Sequence, residues 1–256
     1  MLTPVAGSAA DQLDHPIFRE SIRRIREALQ AGSAASLSDG GRPDPSSPDQ
    51  HSPQQHSPDP STRDPSTRDP AERDVIERLV HSSGDLSLPP DVVISPGACR
   101  AGMAALAAGA AILTDTAMAA AAVAPMARRT LGNRVCSVLA WAPEQAPAHG
   151  TRAAEGMRRA LAEHPGAVVL IGSAPTALEV LLERWRAAAA AGSEEAPALV
   201  IGMPVGFVGV AESKRHLAAS GLPQIRLDGS RGGAGLVAAA VNALLRRGWL
   251  ERSLTL

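Results

Sequence analysis

From Ala111 onward the chain repeats one unit, a short and continuously apolar run followed by a longer stretch with helical spacing. The runs are residues 111–113, 134–139, 167–171, 198–201 and 224–227, and the helical stretches are 116–123, 151–161, 175–190, 212–219 and 233–245. Strands that lack alternating polar residues are buried on both faces, the mark of a parallel sheet covered by helices. The pattern predicts a three-layer, doubly wound α/β domain on a mainly parallel five-stranded sheet. In that architecture ligands bind beyond the carboxyl ends of the strands. Those ends carry Thr114-Asp115, the segment Gly172 to Thr176, the segment Gly202 to Gly206 and the segment Asp228 to Gly233. Three of these four loops are glycine-rich, which lets backbone N–H groups approach an anion closely, and a following helix N-terminus favours negative charge. A ligand with several carboxylates would suit this edge.

Ahead of the repeating part, residues 16–29 read as an amphipathic helix with Ile17, Phe18, Ile22, Ile25 and Leu29 on one stripe. Residues 71–81 read as a second helix, with Gly84 suited to the turn after it, and Ser95-Pro96 reads as the start of a third that ends near Gly109. Between the first two lies a different kind of sequence. Residues 31–70 are rich in Gly, Ser, Pro, Asp and His and contain the tandem repeat DPSTRDPSTRDPAERD. Such a segment cannot bury enough apolar area to offset its ordering entropy, so it is expected to interrupt one domain, residues 1–256, as a disordered insertion. His51 and His56 within it read as solvated linker residues.

The charge balance excludes several functions. With 25 basic and 26 acidic side chains the chain is nearly neutral, unlike a general nucleic-acid binder, which needs a basic face. Lys214 is the one lysine, and no tyrosine is present, so a site built on aromatic stacking is not expected. Cys99 and Cys136 form neither a disulfide framework nor a zinc pattern. The first residues have no basic region followed by an apolar core, and the alanine-rich stretch 101–127 carries Asp115, which is costly in lipid. No export signal, no membrane span and a cytoplasmic location follow as expectations.

No G-x-G-x-x-G follows a first strand, and there is no P-loop or G-x-S-x-G elbow. Longer strings are more informative. IGMPVGFVGVAESK (201–214), IGSAPTALEVLLE (171–183), GTRAAEGM around Arg152, ILTDTAM (112–118) and ERLVHSSGD (77–85) fall in order along the chain. So do HPIFRESIRRIREA (15–28) and RGGAGLVAAAVNALL (231–245). Together they resemble the precorrin-8X methylmutase family over essentially the whole chain except 31–70 and the tails. The resemblance implies a flavodoxin-like fold, a homodimer, no cofactor and no metal. It also implies a [1,5]-sigmatropic methyl shift from C11 to C12 of a tetrapyrrole, giving hydrogenobyrinic acid from precorrin-8X or cobyrinic acid from the cobalt analogue.

A sigmatropic shift needs no nucleophile; it needs a rigidly held macrocycle and a well-placed proton. The family's acid matches His81, and histidine titrates near neutrality. On helical spacing alone, a histidine at a helix end would merely satisfy backbone carbonyls. The resemblance assigns substrate contacts to Ser21, Arg78, Thr151, Arg152 and Ser173. Without it, Ser21 and Arg78 would be surface helix residues. Arg152, at a helix start where the dipole opposes a cation, asks for another reason to be there. Arg78 lies three residues before His81, so both are expected to project from one helical face. Lys214 and Arg231 are either further cationic contacts or ordinary surface charges. Asp115 reads as a cap for the next helix. Phe18 stands where the family often has tyrosine, and Ser173 replaces a common asparagine. A tetrapyrrole carrier without catalysis and an unrelated nucleotide-binding enzyme are the alternative readings.

Overall fold

A computed structural model describes residues 13–38, 68–192 and 196–254. Its elements in chain order are α1 (Pro16–Ser38), α2 (Pro70–Ser83), β1 (Val92–Ile94), α3 (Ala98–Ala107), β2 (Ile112–Thr114), α4 (Ala117–Arg129) and β3 (Val135–Ser137). Then come α5 (Arg152–Glu163), β4 (Val168–Ile171), α6 (Pro175–Ala190), β5 (Leu199–Gly202), α7 (Val210–Ala218), β6 (Gln224–Leu227) and α8 (Ala234–Ser253). The sheet order is β1-β6-β5-β4-β2-β3, parallel throughout except that β1 runs antiparallel to β6.

The three-layer architecture expected from the apolar runs is present, with six strands instead of five. β1 escapes the sequence pattern because it lies between Pro89-Pro90 and Ser95-Pro96. Proline is tolerated beside an edge strand, where its missing donor costs no ladder bond. Successive strand residues serve opposite faces. Val168, Leu170, Leu199 and Ile201 pack toward α2, α3, α4 and α8. Leu113, Val169, Ile171 and Val200 pack toward α5, α6 and α7. Helix α8 is buried from Leu236 to Leu245 and forms the middle of the first layer.

Helix boundaries are set by caps. Asp69 accepts the Ala71 N–H at 2.8 Å ahead of α2, Pro70 takes the first turn, and Gly84 ends the helix at φ 68°. The start of α3 differs from expectation: its N-cap is Gly97 at φ 77°, not Ser95. The Ser95 hydroxyl instead accepts the Gln224 N–H at 2.9 Å and ties the end of β1 to β6. Helix α1 continues to Ser38, eight residues into the proline- and serine-rich segment, and Asp69 and Pro70 belong to α2. Residues 39–67, which hold His51 and His56, lie outside the described residues. Ile17 is 73% exposed and does not share the buried stripe of Ile22. Among the described residues no helix is long and apolar enough to cross a membrane.

The antiparallel β1 matters for function. Its first residue, Val92, pairs with Leu227 at the carboxyl end of β6. The segment 84–91 that leads into β1 therefore runs along the carboxyl edge of the sheet, and His81 stands in the helical turn just before it.

Candidate functional site

His81 occupies the last turn of α2, half-buried against α1. Its Nδ1 is 2.7 Å from Ser21 Oγ, and its ring meets the Phe18 ring edge-on at a centroid distance of 5.1 Å. Ser21 and Phe18 are three residues apart on α1, so one turn of that helix supplies both contacts. When Ser21 donates to Nδ1, the imidazole carries its proton on Nε2. Burial, with the neighbouring Arg78 charge second, holds the His81 pKa below the usual imidazole range. The residue lines a cleft of about 780 Å³ together with Ile17, Ser21, Ile25, Val80 and Leu86.

Arg78 also contacts Phe18. Its guanidinium carbon lies 4.4 Å from the ring centroid, within cation–π range. Arg78 and His81 thus share a contact face, yet they open into different cavities. Arg78 lines a separate hollow of about 270 Å³ with Asp14, Asp74, Glu77 and Arg246. The acids there are engaged elsewhere: Arg246 holds Asp14 at 2.9 and 2.5 Å, and Arg26 holds Glu77 at 2.6 and 2.8 Å. Among the described residues no carboxylate pairs with Arg78. Burial lowers its pKa, Asp14 opposes that and Arg246 adds to it; a guanidinium nonetheless stays charged at any physiological pH.

The other candidates form a second group at the carboxyl edge. Thr151 caps α5 by accepting the Ala154 N–H at 3.1 Å, and its hydroxyl is 2.7 Å from that of Thr176 at the start of α6. Arg152 is exposed and donates from Nε to the Pro143 carbonyl at 2.8 Å. Ser173 has an exposed side chain and a backbone N–H that donates to Asp115. The structure brings Ser21, Arg78 and His81 together around Phe18, and places Thr151, Arg152 and Ser173 at the mouths of β3 and β4.

Asp115 is not the helix cap expected of it. Thr116 caps α4, accepting the Ala119 N–H at 3.2 Å. Asp115, 1% exposed, reaches across to the next loop, where its Oδ2 accepts N–H bonds from Gly172 at 3.1 Å, Ser173 at 2.6 Å and Ala174 at 2.8 Å. The glycine-rich loop does gather amides for an anion, but the anion is the protein's own. Burial pushes the carboxyl pKa up while the three amides pull it down, and burial prevails. Oδ1 is buried without a hydrogen-bond partner. Sequence spacing does not show this clamp, because it depends on β2 and β4 being neighbours, with Thr114 opposite Leu170.

Lys214 is likewise not a surface charge. It is 2% exposed, and its Nζ donates to the carbonyls of Gly229 at 2.7 Å and Arg231 at 2.8 Å. Arg231 pairs with Asp85 at 2.5 Å and with Asp91. Cys99 and Cys136 are both free, and burial pushes the Cys99 thiol up to about 12, which makes it inert as a nucleophile.

Fold and site together define a doubly wound α/β protein with a histidine-bearing cleft beside the carboxyl edge of its sheet. Comparison with known proteins is specific. Residues 60–247 match the family model of precorrin-8X methylmutase. The precorrin-8X methylmutase of Pseudomonas aeruginosa is 47% identical over 172 residues, covering 65% of this chain and 80% of that protein. The cobalt-precorrin-8 methylmutase of Synechocystis is 37% identical over 188 residues, covering 68% and 84%. The crystal structure of the Thermus thermophilus precorrin-8X methylmutase superposes with a TM-score of 0.67 at 32% identity, covering 91% of this chain and 98% of that one. The chain belongs to the precorrin-8X methylmutase family and is an isomerase of cobalamin biosynthesis.

Proposed function

We propose that this protein moves the C11 methyl group of precorrin-8X, or of its cobalt analogue, to C12, and that His81 is the acid. The reaction is an isomerisation. One carbon–carbon bond breaks and another forms, and no atom is gained or lost. The protein must therefore supply orientation and a proton that stays with the macrocycle only while the π-system rearranges. The observation that carries this reading is the His81–Ser21 pair on the wall of an open cleft. Ser21 fixes the ring's orientation, and the low pKa makes the imidazolium a stronger proton donor. Arg78, charged and without a carboxylate of its own, would take one of the substrate's carboxylates, where a guanidinium can bind in bidentate fashion. Thr151, Arg152 and Ser173 would contact the ligand from the sheet edge. The chain is one domain with an insertion between α1 and α2, it acts in the cytoplasm, and it works as a homodimer. The dimer would cover the apolar loop tip of Phe207 and Val208, which are 95% and 88% exposed.

The test is an ultraviolet–visible spectrum of the protein mixed with excess precorrin-8X, beside His81→Ala. The shift changes the conjugation. Repeated turnover by the wild type and its loss in the variant are expected. Binding without conversion by both would leave a carrier in place of an enzyme.

A further inference from the structure

A buried ammonium whose hydrogen bonds all go to backbone carbonyls is expensive to maintain, because those dipoles replace its lost hydration only in part. Lys214 is such a group, and its two acceptors lie in one turn, at Gly229 and Arg231. The carbonyl between them, that of Ser230, accepts the Gly206 N–H at 3.1 Å. Three consecutive carbonyls are thus tied back to the α7 side of the edge. The turn is also pressed tight: a Cβ at Gly232 would stand 2.0 Å from the Met203 carbonyl oxygen. What this fixed turn presents outward is the Arg231 side chain. Its guanidinium grips Asp85 and Asp91 and reaches Ser87 Oγ at 3.2 Å. Asp85 is braced in turn, accepting the Ser87 N–H at 2.8 Å and the Ser87 hydroxyl at 2.6 Å, while its own N–H donates to Ser83 Oγ at 3.1 Å. These residues begin two positions after His81, and Gly84 and Leu86 among them line the His81 cleft.

We propose that Lys214 and Arg231 are positioning residues for His81: the buried ammonium fixes the turn at 229–231, and the guanidinium it presents holds the 84–91 segment that closes α2 and walls the cleft. The proposal rests on His81 being the acid. A lysine on α7 then acts on a histidine on α2 through one arginine and two aspartates. Neither Lys214 nor Arg231 needs to touch the substrate.

The experiment measures kcat under single-turnover conditions for Arg231→Gln and Asp85→Asn, each alone and combined with His81→Ala. Both substitutions lie at the partly exposed end of the chain of contacts, so they test it even if Lys214→Met fails to fold. Each single variant should lose about tenfold in kcat, the scale of a small misplacement of a catalytic group. In the His81→Ala background the same substitutions should cost no more than about twofold, because the group they position is gone. Arg231→Lys should recover part of the loss, since one charge–carboxylate contact survives. Equal fractional losses in both backgrounds would overturn the proposal, as would wild-type kcat in both single variants. Full turnover by His81→Ala alone would fail differently: it would remove the acid assignment, and with it anything to position.

Discussion

Truncating Asp115 separates two accounts of the loop after β4. In Asp115→Ala the N–H groups of Gly172, Ser173 and Ala174 lose their shared acceptor. They do not lose equally. Gly172 is buried, and a Cβ added there would stand 2.8 Å from the backbone of Gly233 and Ala234, so its amide sits in a tightly packed place. An unsatisfied buried donor costs about 2 kcal/mol. Ser173 is exposed and Ala174 is half-buried, so their amides turn to solvent and forfeit about 1 kcal/mol or less each. The sum is about 2–4 kcal/mol, a large share of the 5–15 kcal/mol or so that holds a domain together. It corresponds to a drop in melting temperature of about 10 °C for a chain of this size. Asp115→Asn keeps an acceptor oxygen and should lose only about 1 kcal/mol. The assay is urea unfolding followed by circular dichroism, with thermal melts alongside. A loss below about 1 kcal/mol for the alanine variant would refute the clamp, since it would mean that water satisfies all three amides. The pH dependence gives an independent check of sign. A carboxyl whose folded pKa is raised binds more protons folded than unfolded, so stability falls as pH rises through that window. The wild type should therefore gain on Asp115→Asn as pH drops toward the carboxylate range. The opposite trend would show that the amides, not burial, dominate.

Three further outcomes follow from the same coordinates. Because His81 titrates below the usual imidazole range, kcat/KM should fall as pH rises through a value under about 6.5, and that limb should vanish in His81→Ala. Arg78→Met removes the unpaired guanidinium, and should raise KM for the polycarboxylate substrate by about tenfold to hundredfold, with Arg78→Lys recovering little because it cannot bind in bidentate fashion; an unchanged KM in steady-state assays would place the carboxylate elsewhere. Replacing residues 40–67 by a short glycine–serine linker should leave melting temperature and turnover within about twofold of wild type, since loop length alone changes stability little.

The layered sheet was readable because its strands are buried on both faces, which leaves runs such as 167–171 without a single polar residue. Some helix ends were readable, as at Thr151 and at Gly84, and others were misplaced by a residue or two, as at Gly97, where Ser95 looked like the cap, and at Thr116, where Asp115 did. The strand β1 was hidden because Pro89-Pro90 and Ser95-Pro96 bracket it, so its apolar run reads as the link between two helices. In the candidate site, the sequence presented Arg78 and His81 as neighbours on one helical face and Ser21 as a separate match. Their meeting around Phe18 depends on how α1 lies across α2, a matter of tertiary packing. The one outright reversal concerns charge. Asp115 follows a strand end and Lys214 lies on α7 near one, places where sequence logic looks for caps, surface charges or ligand contacts. Both are turned inward instead, and only the strand order reveals which loops they reach.

That reversal bears on how the site works. The anion seat that the glycine-rich loop after β4 would offer a substrate is already filled by Asp115, so an incoming carboxylate cannot use those three amides. The turn after β6 is in the same condition with opposite charge, its carbonyls taken by Lys214. Two neighbouring loops at the carboxyl edge are thus held by buried ions supplied from adjacent elements, before any ligand arrives. Such a rim is costly in desolvation, and a reaction that needed only a mobile pocket would gain nothing from it. A methyl shift gains from it directly. With no nucleophile to activate and no water to position, rigid placement is the main thing a protein can contribute. On the proposed reading Arg78 takes a substrate carboxylate and His81 supplies the proton, and the two side chains, both in contact with Phe18, open into separate cavities.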